Sequence, residues 1–342
     1  MQEKKSKSYK TFITILISLA FAAIFMWLAF RDFEFGKLKN SLSKANYLWV
    51  LVSAFFGILA YWFRAIRWNI LLEPLGYSIS SSNSLWTISF GYLMNLTIPR
   101  SGEVARATAL YGVEKVPVDK SFGTIILERV IDLVCMLGFL GLTMIFKYDL
   151  IVSFFREADI SINPYYVIAF ISAGILGLFL FFKFKDHFRK YSFLNKLINF
   201  IEGILKGLTS IFKLKQNGKF ILYTLAIWVS YYLAAYLICF ALPETSDFTI
   251  ADGFYIIVVG TLGMMVPASG GIGAFHFALK IGISALFVSM GKSASEGAEV
   301  GLSYAFLSHT LQMVIMLVMG FIAIPILAKS RAKMLAKESG GI

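Results

Sequence analysis

Uncharged apolar runs of about 20 residues recur along the chain, and no other feature narrows its fold so far. A helix of that length rises about 30 Å, enough to cross the hydrocarbon core of a bilayer. Six runs read as complete crossings, at about 11–30, 46–66, 121–146, 164–182, 220–241 and 300–328. Polar stretches between them are short. Of 342 residues, 58% are hydrophobic and 15% charged, where a soluble domain carries about 25% charged. The expected fold class is therefore an all-α polytopic membrane protein. It has one membrane-embedded domain at 11–328, with basic tails at 1–10 and 329–342.

The placement of Lys and Arg sets direction. Lys4, Lys5, Lys7 and Lys10 precede the first run, which is too long for a signal-peptide core and lacks a small-residue cleavage site. Arg64 and Arg67 close the second run and Arg100, Arg106, Lys115 and Lys120 follow, which places 64–120 on the cytoplasmic side. Nine lysines and arginines between 183 and 219 do the same for that connection. The loop 243–252 holds Glu244, Asp247 and Asp252 without a basic residue and faces outward. Both termini are expected in the cytoplasm of a bacterial-type inner membrane. The loop 31–45 carries four basic residues on the outer side and is outvoted. Within 192–214, apolar residues at helical spacing oppose Lys196, Glu202, Lys206 and Lys213, the pattern of an amphipathic helix on the cytoplasmic leaflet.

Two apolar segments fit no crossing. Residues 84–98 are too short and have cytoplasmic charge on both sides, and 253–290 begins and ends outside. Each reads as a re-entrant hairpin. The first breaks in GYLMNLTIPRSGEVAR (91–106) and the second in GTLGMMVPASGGIG (260–273), sharing Pro-x-Ser-Gly. Span, hairpin and span repeat at about 46–146 and 220–328 with opposite orientation. Such inverted units with broken helices place binding sites near the midplane in transporters, because unpaired backbone at that depth must line a cavity or be buried in protein. Two kinked structural helices in a packed bundle remain the alternative.

The breaks supply the candidate site residues. Ser101 and Gly102 can begin a half-helix whose free N–H groups and dipole suit an anion. Arg100 and Arg106 flank it with guanidinium groups shaped for phosphate. Glu103 could steer them. In the third span, Glu128 and Asp132 lie one turn apart beside Arg129, at a depth where charge is costly and faces a cavity or another charge. At the second break Ser269, Gly270, Gly271 and Gly273 allow a backbone-lined head-group cradle, or close helix packing. His276 and Lys280 share a face four residues on. His276 could carry a proton, although a packed, hydrogen-bonded histidine is the commoner case. Cys135 and Cys239 lie in apolar runs without metal-ligand spacing. No P-loop is complete, since Leu286 stands where Gly291-Lys292-Ser293 would need a glycine, and no serine elbow or nucleophile–base set is visible. No enzymatic activity, cofactor or metal is expected.

The three motifs, PRSGEVAR at 99–106, ERVID at 128–132 and PASGGIG at 267–273, together resemble the flippase-like membrane domain of lysylphosphatidylglycerol synthases, the multiple peptide resistance factor family. The resemblance covers roughly 45–328. It implies re-entrant helices around a central cavity and the flipping of a phospholipid or polyisoprenoid lipid. The family's aminoacyl-transferase domain is not in the chain, so lipid synthesis is not implied. His276 stands where many relatives carry an acidic residue. The expected function is translocation of a phospholipid or other anionic lipid between leaflets. A secondary transporter of a soluble anion and a non-transporting scaffold of envelope lipid synthesis are the alternatives. Expected partners are the bilayer, its lipid, and a second copy of the chain or an envelope lipid-synthesis enzyme, with no nucleic acid.

Overall fold

The computed structural model describes residues 16–17, 19–30, 35–98, 101–150 and 214–339, with isolated positions between 173 and 198. The expected span at 164–182, the amphipathic helix at 192–214, the tail 1–10 and Arg100 lie outside the described residues. Among the described residues the regular structure is entirely helical. The elements are α1 (Leu19–Phe30), α2 (Phe35–Lys44), α3 (Tyr47–Leu72), α4 (Ser81–Thr97), α5 (Gly102–Glu114), α6 (Val118–Phe146), α7 (Asn217–Leu237), α8 (Ile250–Met265), α9 (Ala274–Ser289) and α10 (Ala294–Ser339). Four described segments are long and apolar enough to cross a bilayer: Tyr47–Leu75, Asn217–Ala241, Ser269–Ser289 and Ala294–Ala336. The third of these includes α9, one arm of an expected hairpin.

Local chemistry sets the helix ends. Asn46 caps α3 by accepting from the Leu48 N–H at 3.1 Å. The helix leaves through a 3₁₀ turn, Glu73–Leu75, and Gly76 at φ +88°. α3 runs six residues beyond the expected boundary at 66, so Arg64 and Arg67 lie within the helix. They are 3% and 0% exposed, which corrects their assignment as charges at the membrane surface. Thr249 and Asp252 form a reciprocal cap on α8, and the same carboxylate meets Lys147 at 2.7 Å. That ion pair ties the end of α6 to the start of α8.

Helices pair reciprocally across the two halves. α3 and α7 run antiparallel, with the Ser53 hydroxyl donating to the Ala234 carbonyl at 2.6 Å and the Phe63 and Tyr223 rings 6.0 Å apart. α4 lies along α10, where Gly320 admits Leu93. α8 lies along α6, with Phe254 5.7 Å from Phe139. The first arm of each broken segment thus packs on the last long helix of the other half.

Each broken segment folds back on itself. In α4–α5, Glu114 at the end of α5 accepts from the Asn83 side chain at 2.7 Å and the Ser80 N–H at 3.4 Å, at the start of α4. The arms cross where Gly91 faces Gly102. A Cβ on Gly91 would lie 2.8 Å from the Gly102 carbonyl oxygen. In α8–α9, Gly263 lets Ala278 approach and Phe248 stacks edge-on to Phe287 at 6.2 Å, which brings the two outer ends together. The turns of the two hairpins touch, since Gly270 sits against Leu96.

Gly91→Val should therefore destabilise the fold by about 1–3 kcal/mol through overpacking and lower the melting temperature. Gly112→Ala, which has no atom within 4 Å of its added Cβ, should leave it unchanged or raise it. Thermal unfolding of the purified protein in mild detergent measures both.

Candidate functional site

The charged residues of α3, α5 and α6 meet in one buried cluster. Tyr61, Arg64 and Trp68 recur at helical spacing on α3, with Arg67 beside them, while Glu128 and Asp132 are one turn apart on α6. Arg64 pairs through Nη2 with Asp132 Oδ2. Its Nη1 donates to the hydroxyls of Tyr92 at 2.6 Å and Tyr231 at 2.9 Å. Arg67 Nη2 lies 3.0 Å from Asp132 Oδ1 and 3.5 Å from Glu128 Oε1. Arg106 Nη1 lies 2.7 Å from Glu128 Oε2, and its guanidinium sits 3.5 Å over the Trp68 ring. The Trp68 indole N–H in turn donates to Thr124 at 2.8 Å. At the exposed rim Arg129 pairs with Glu103 at 2.9 Å and reaches Asp132 at 3.9 Å.

Among the described residues this cluster sets four arginines against three carboxylates, one positive charge in surplus. Its buried part holds Arg64, Arg67 and Arg106 against Glu128 and Asp132. Five of the buried guanidinium nitrogens have no hydrogen-bond acceptor among the described residues: Arg64 Nε, Arg67 Nε and Nη1, and Arg106 Nε and Nη2. Taking charge out of water is expensive, and removing one member of such a set strands the others.

One large cavity, about 550 Å³, adjoins the cluster. Six helices line it: α3, α6, α7, α8, α9 and α10. It follows α3 from Ser53 to Arg64, about 16 Å of helix. Arg64, Arg129 and Asp132 form its charged end, with Tyr61 and Tyr231 beside them. Most of the remaining wall is apolar, including Leu133, Met136, Ile256, Met264 and Leu311. A crevice of about 10 Å³, room for about one water, lies at the α4–α5 turn between Asn95, Gly102, Glu103 and Arg106.

The structure gathers the expected site residues into two groups. Ser101, Gly102, Glu103, Arg106, Glu128, Arg129 and Asp132 come together around the first turn and α6. Side chains of the first turn bond within it. The Ser101 hydroxyl donates to the carbonyls of Met94 (3.0 Å) and Ile98 (2.8 Å), and Asn95 accepts the Gly102 N–H at 2.7 Å. Asn95 therefore takes one N–H of the helix end expected there, and Arg106 points into the ion cluster rather than lining the large cavity. Ser269, Gly270, Gly271, Gly273, His276 and Lys280 gather at the second turn. Its three glycines have positive φ, but each faces protein: Leu96, the Met264 sulfur, and the α1 backbone at Ala22 and Met26. His276 is 4% exposed, its ring 5.0 Å from that of His309. The His309 Nε2–H donates to the Gly270 carbonyl at 2.8 Å. Lys280 donates to the Ala29 carbonyl at 2.9 Å.

Sequence reasoning missed Arg64, Arg67, Tyr61, Tyr92 and Tyr231. The available signal was the run WNILL at 68–72, which keeps α3 apolar beyond both arginines.

A chain whose described residues are helical, with four apolar segments of membrane-crossing length and an ion cluster buried beside one of them, is a multi-pass membrane protein. The chain belongs to the family of the lysylphosphatidylglycerol synthase TM region, whose match covers residues 15–320. It is 23% identical over 340 residues to the glycosyltransferase AglD of Haloferax volcanii, an alignment covering 90% of this chain and 53% of that protein. It is 29% identical over 129 residues to the UPF0104 membrane protein MJ1595 of Methanocaldococcus jannaschii, covering 37% of this chain and 38% of the relative. The chain thus spans about half the length of the first relative and less of the second. No solved structure matches it.

Glu128→Gln should destabilise the protein by about 3–5 kcal/mol, because it leaves Arg67 and Arg106 short of a counter-charge. Glu103→Gln, whose partner Arg129 has a 44% exposed side chain, should cost no more than about 1 kcal/mol. Paired thermal melts of the two variants check the difference.

Proposed function

We propose that the protein translocates a lipid with a polar, anionic head group between the two leaflets. The observation that carries this reading is the cavity, charged at one end by Arg64, Arg129 and Asp132 and apolar along most of its length. A head group crossing hydrocarbon alone leaves its charge and hydrogen bonds unpaired, at a cost of many kcal/mol. A charged cavity end reached between apolar helices lowers that cost, while the lipid tails stay in the bilayer.

In this reading α4–α5 and α8–α9 are re-entrant hairpins entering from opposite faces. Their helical arms hold 17, 13, 16 and 16 residues, about 20–26 Å each against a core about 30 Å thick, and the last reaches crossing length when the turn before it is counted, as Ser269–Ser289. The reciprocal packing of α4 on α10 and α8 on α6 suits an inverted repeat, the architecture in which one site opens to either side. The membrane is the inner membrane of a bacterial-type cell, with both termini in the cytoplasm. The chain itself carries out no covalent step.

A second reading has one specific support: the chain matches about half of a relative named as a glycosyltransferase. In that case the cavity would hold a lipid for a partner enzyme without moving it.

Proteoliposomes containing a fluorescent phospholipid, with an impermeant quencher outside, separate these functions. Translocation predicts that more than half of the label becomes quenchable, and that Thr261→Trp, which fills the cavity wall, abolishes the effect without lowering the melting temperature. Retention of lipid with no movement would support the holding role. Movement of inorganic anions without lipid would leave a solute transporter.

A further inference from the structure

The cluster's charge surplus is presented to the cavity by a single buried side chain. Arg67 and Arg106 stand behind the wall, whereas Arg64 belongs both to the cluster and to the lining. Arg129 also lines the cavity, but Glu103 already matches its charge at the rim. We propose that Arg64 is the residue that takes the ligand's phosphate-like anion, and that it does so by giving up Asp132. This rests on the reading of the cavity as the head-group site.

The geometry makes the exchange inexpensive. Asp132 holds three arginines at once: Arg64, Arg67 at 3.0 Å and Arg129 at 3.9 Å. Losing Arg64 leaves it two partners, the second of which needs only to close by about an ångström to form a good ion pair. Arg64 meanwhile trades one carboxylate for an incoming oxyanion, which supplies the negative charge that the buried set lacks. Its Nε has no acceptor among the described residues, so a two-oxygen group can use an N–H that the resting protein leaves idle.

Arg64 also joins three helices, since its two terminal nitrogens hold Tyr92 on α4, Asp132 on α6 and Tyr231 on α7. Turning it toward a ligand loosens α4, the first arm of the α4–α5 hairpin, from α6. Occupancy of the cavity is thereby coupled to the hairpin that carries Glu103 and Arg106.

The test is a binding measurement that needs no transport. Isothermal titration in a maltoside detergent uses three probes: dihexanoyl phosphatidylglycerol, dihexanoyl phosphatidylcholine and inorganic phosphate. The native protein should bind the phosphatidylglycerol most tightly. Arg64→Gln, which leaves two buried arginines to two carboxylates, should weaken binding by roughly tenfold or more when measured below the melting temperature of both proteins. Asp132→Asn removes the competitor and should tighten binding by roughly threefold or more. The double variant restores the native charge count and should bind no better than Arg64→Gln alone. That comparison decides the matter even where Asp132→Asn does not fold. Unchanged affinity in Arg64→Gln, weaker binding in a folded Asp132→Asn, or tighter binding in the double variant than in Arg64→Gln would each overturn the exchange. The same pattern seen with inorganic phosphate and not with lipid would keep the exchange and overturn the lipid reading. Equal binding of the phosphatidylcholine would remove the anion requirement.

Discussion

Three buried arginines facing two carboxylates among the described residues are the constraint around which the rest of this protein is arranged. Arg64, Arg67 and Arg106 come from two helices and meet Glu128 and Asp132 on a third. The set survives burial because each charge faces an opposite one and because Trp68, Tyr92 and Tyr231 complete the shell. It fixes α3 against α5 and α6, and through the tyrosines it reaches α4 and α7. One positive charge remains unmatched among the described residues. Such an arrangement is poor value as structural glue, since well-packed apolar residues would stabilise the fold equally well or better. Its place at the end of a cavity gives it a use.

The hairpins follow from a different economy. Gly91, Gly102 and Gly263 let the arms of each broken segment cross closely, so that backbone near each break is buried in protein. At the first break Asn95 takes the Gly102 N–H, and the Ser101 hydroxyl bonds the carbonyls of Met94 and Ile98. At the second, three glycines with positive φ turn the chain tightly enough for α1, Leu96 and Met264 to pack against it. The breaks are thus packed against protein, and the charged end of the cavity is furnished by α3 and α6.

Much of this was legible in the sequence. The apolar runs gave the helices, and Pro-x-Ser-Gly marked both breaks because proline and glycine interrupt helices for backbone reasons that hold in any environment. Glu128 and Asp132 stood out because carboxylates inside an apolar run are rare. Arg64 and Arg67 did not, since basic residues near the end of a run read as surface anchors; only WNILL at 68–72 signalled otherwise. The glycines at 270, 271 and 273 were ambiguous, because a glycine that cradles a ligand and one that admits a neighbouring helix look alike in one dimension. The cavity itself was not readable. Its wall draws residues from six helices, and no local spacing encodes that meeting.

The proposed translocation depends on two hairpins that enter from opposite faces of the membrane. Cysteines placed singly at Ser80, Lys115, Asp247 and Lys292, in a protein whose Cys135 and Cys239 are replaced by serine, can be labelled with a membrane-impermeant thiol reagent in intact cells and in inverted vesicles. The account predicts labelling at 80 and 115 only from the cytoplasmic face, and at 247 and 292 only from the outer face. Ends of either hairpin labelled from opposite faces, or all four positions labelled from the same face, would contradict it.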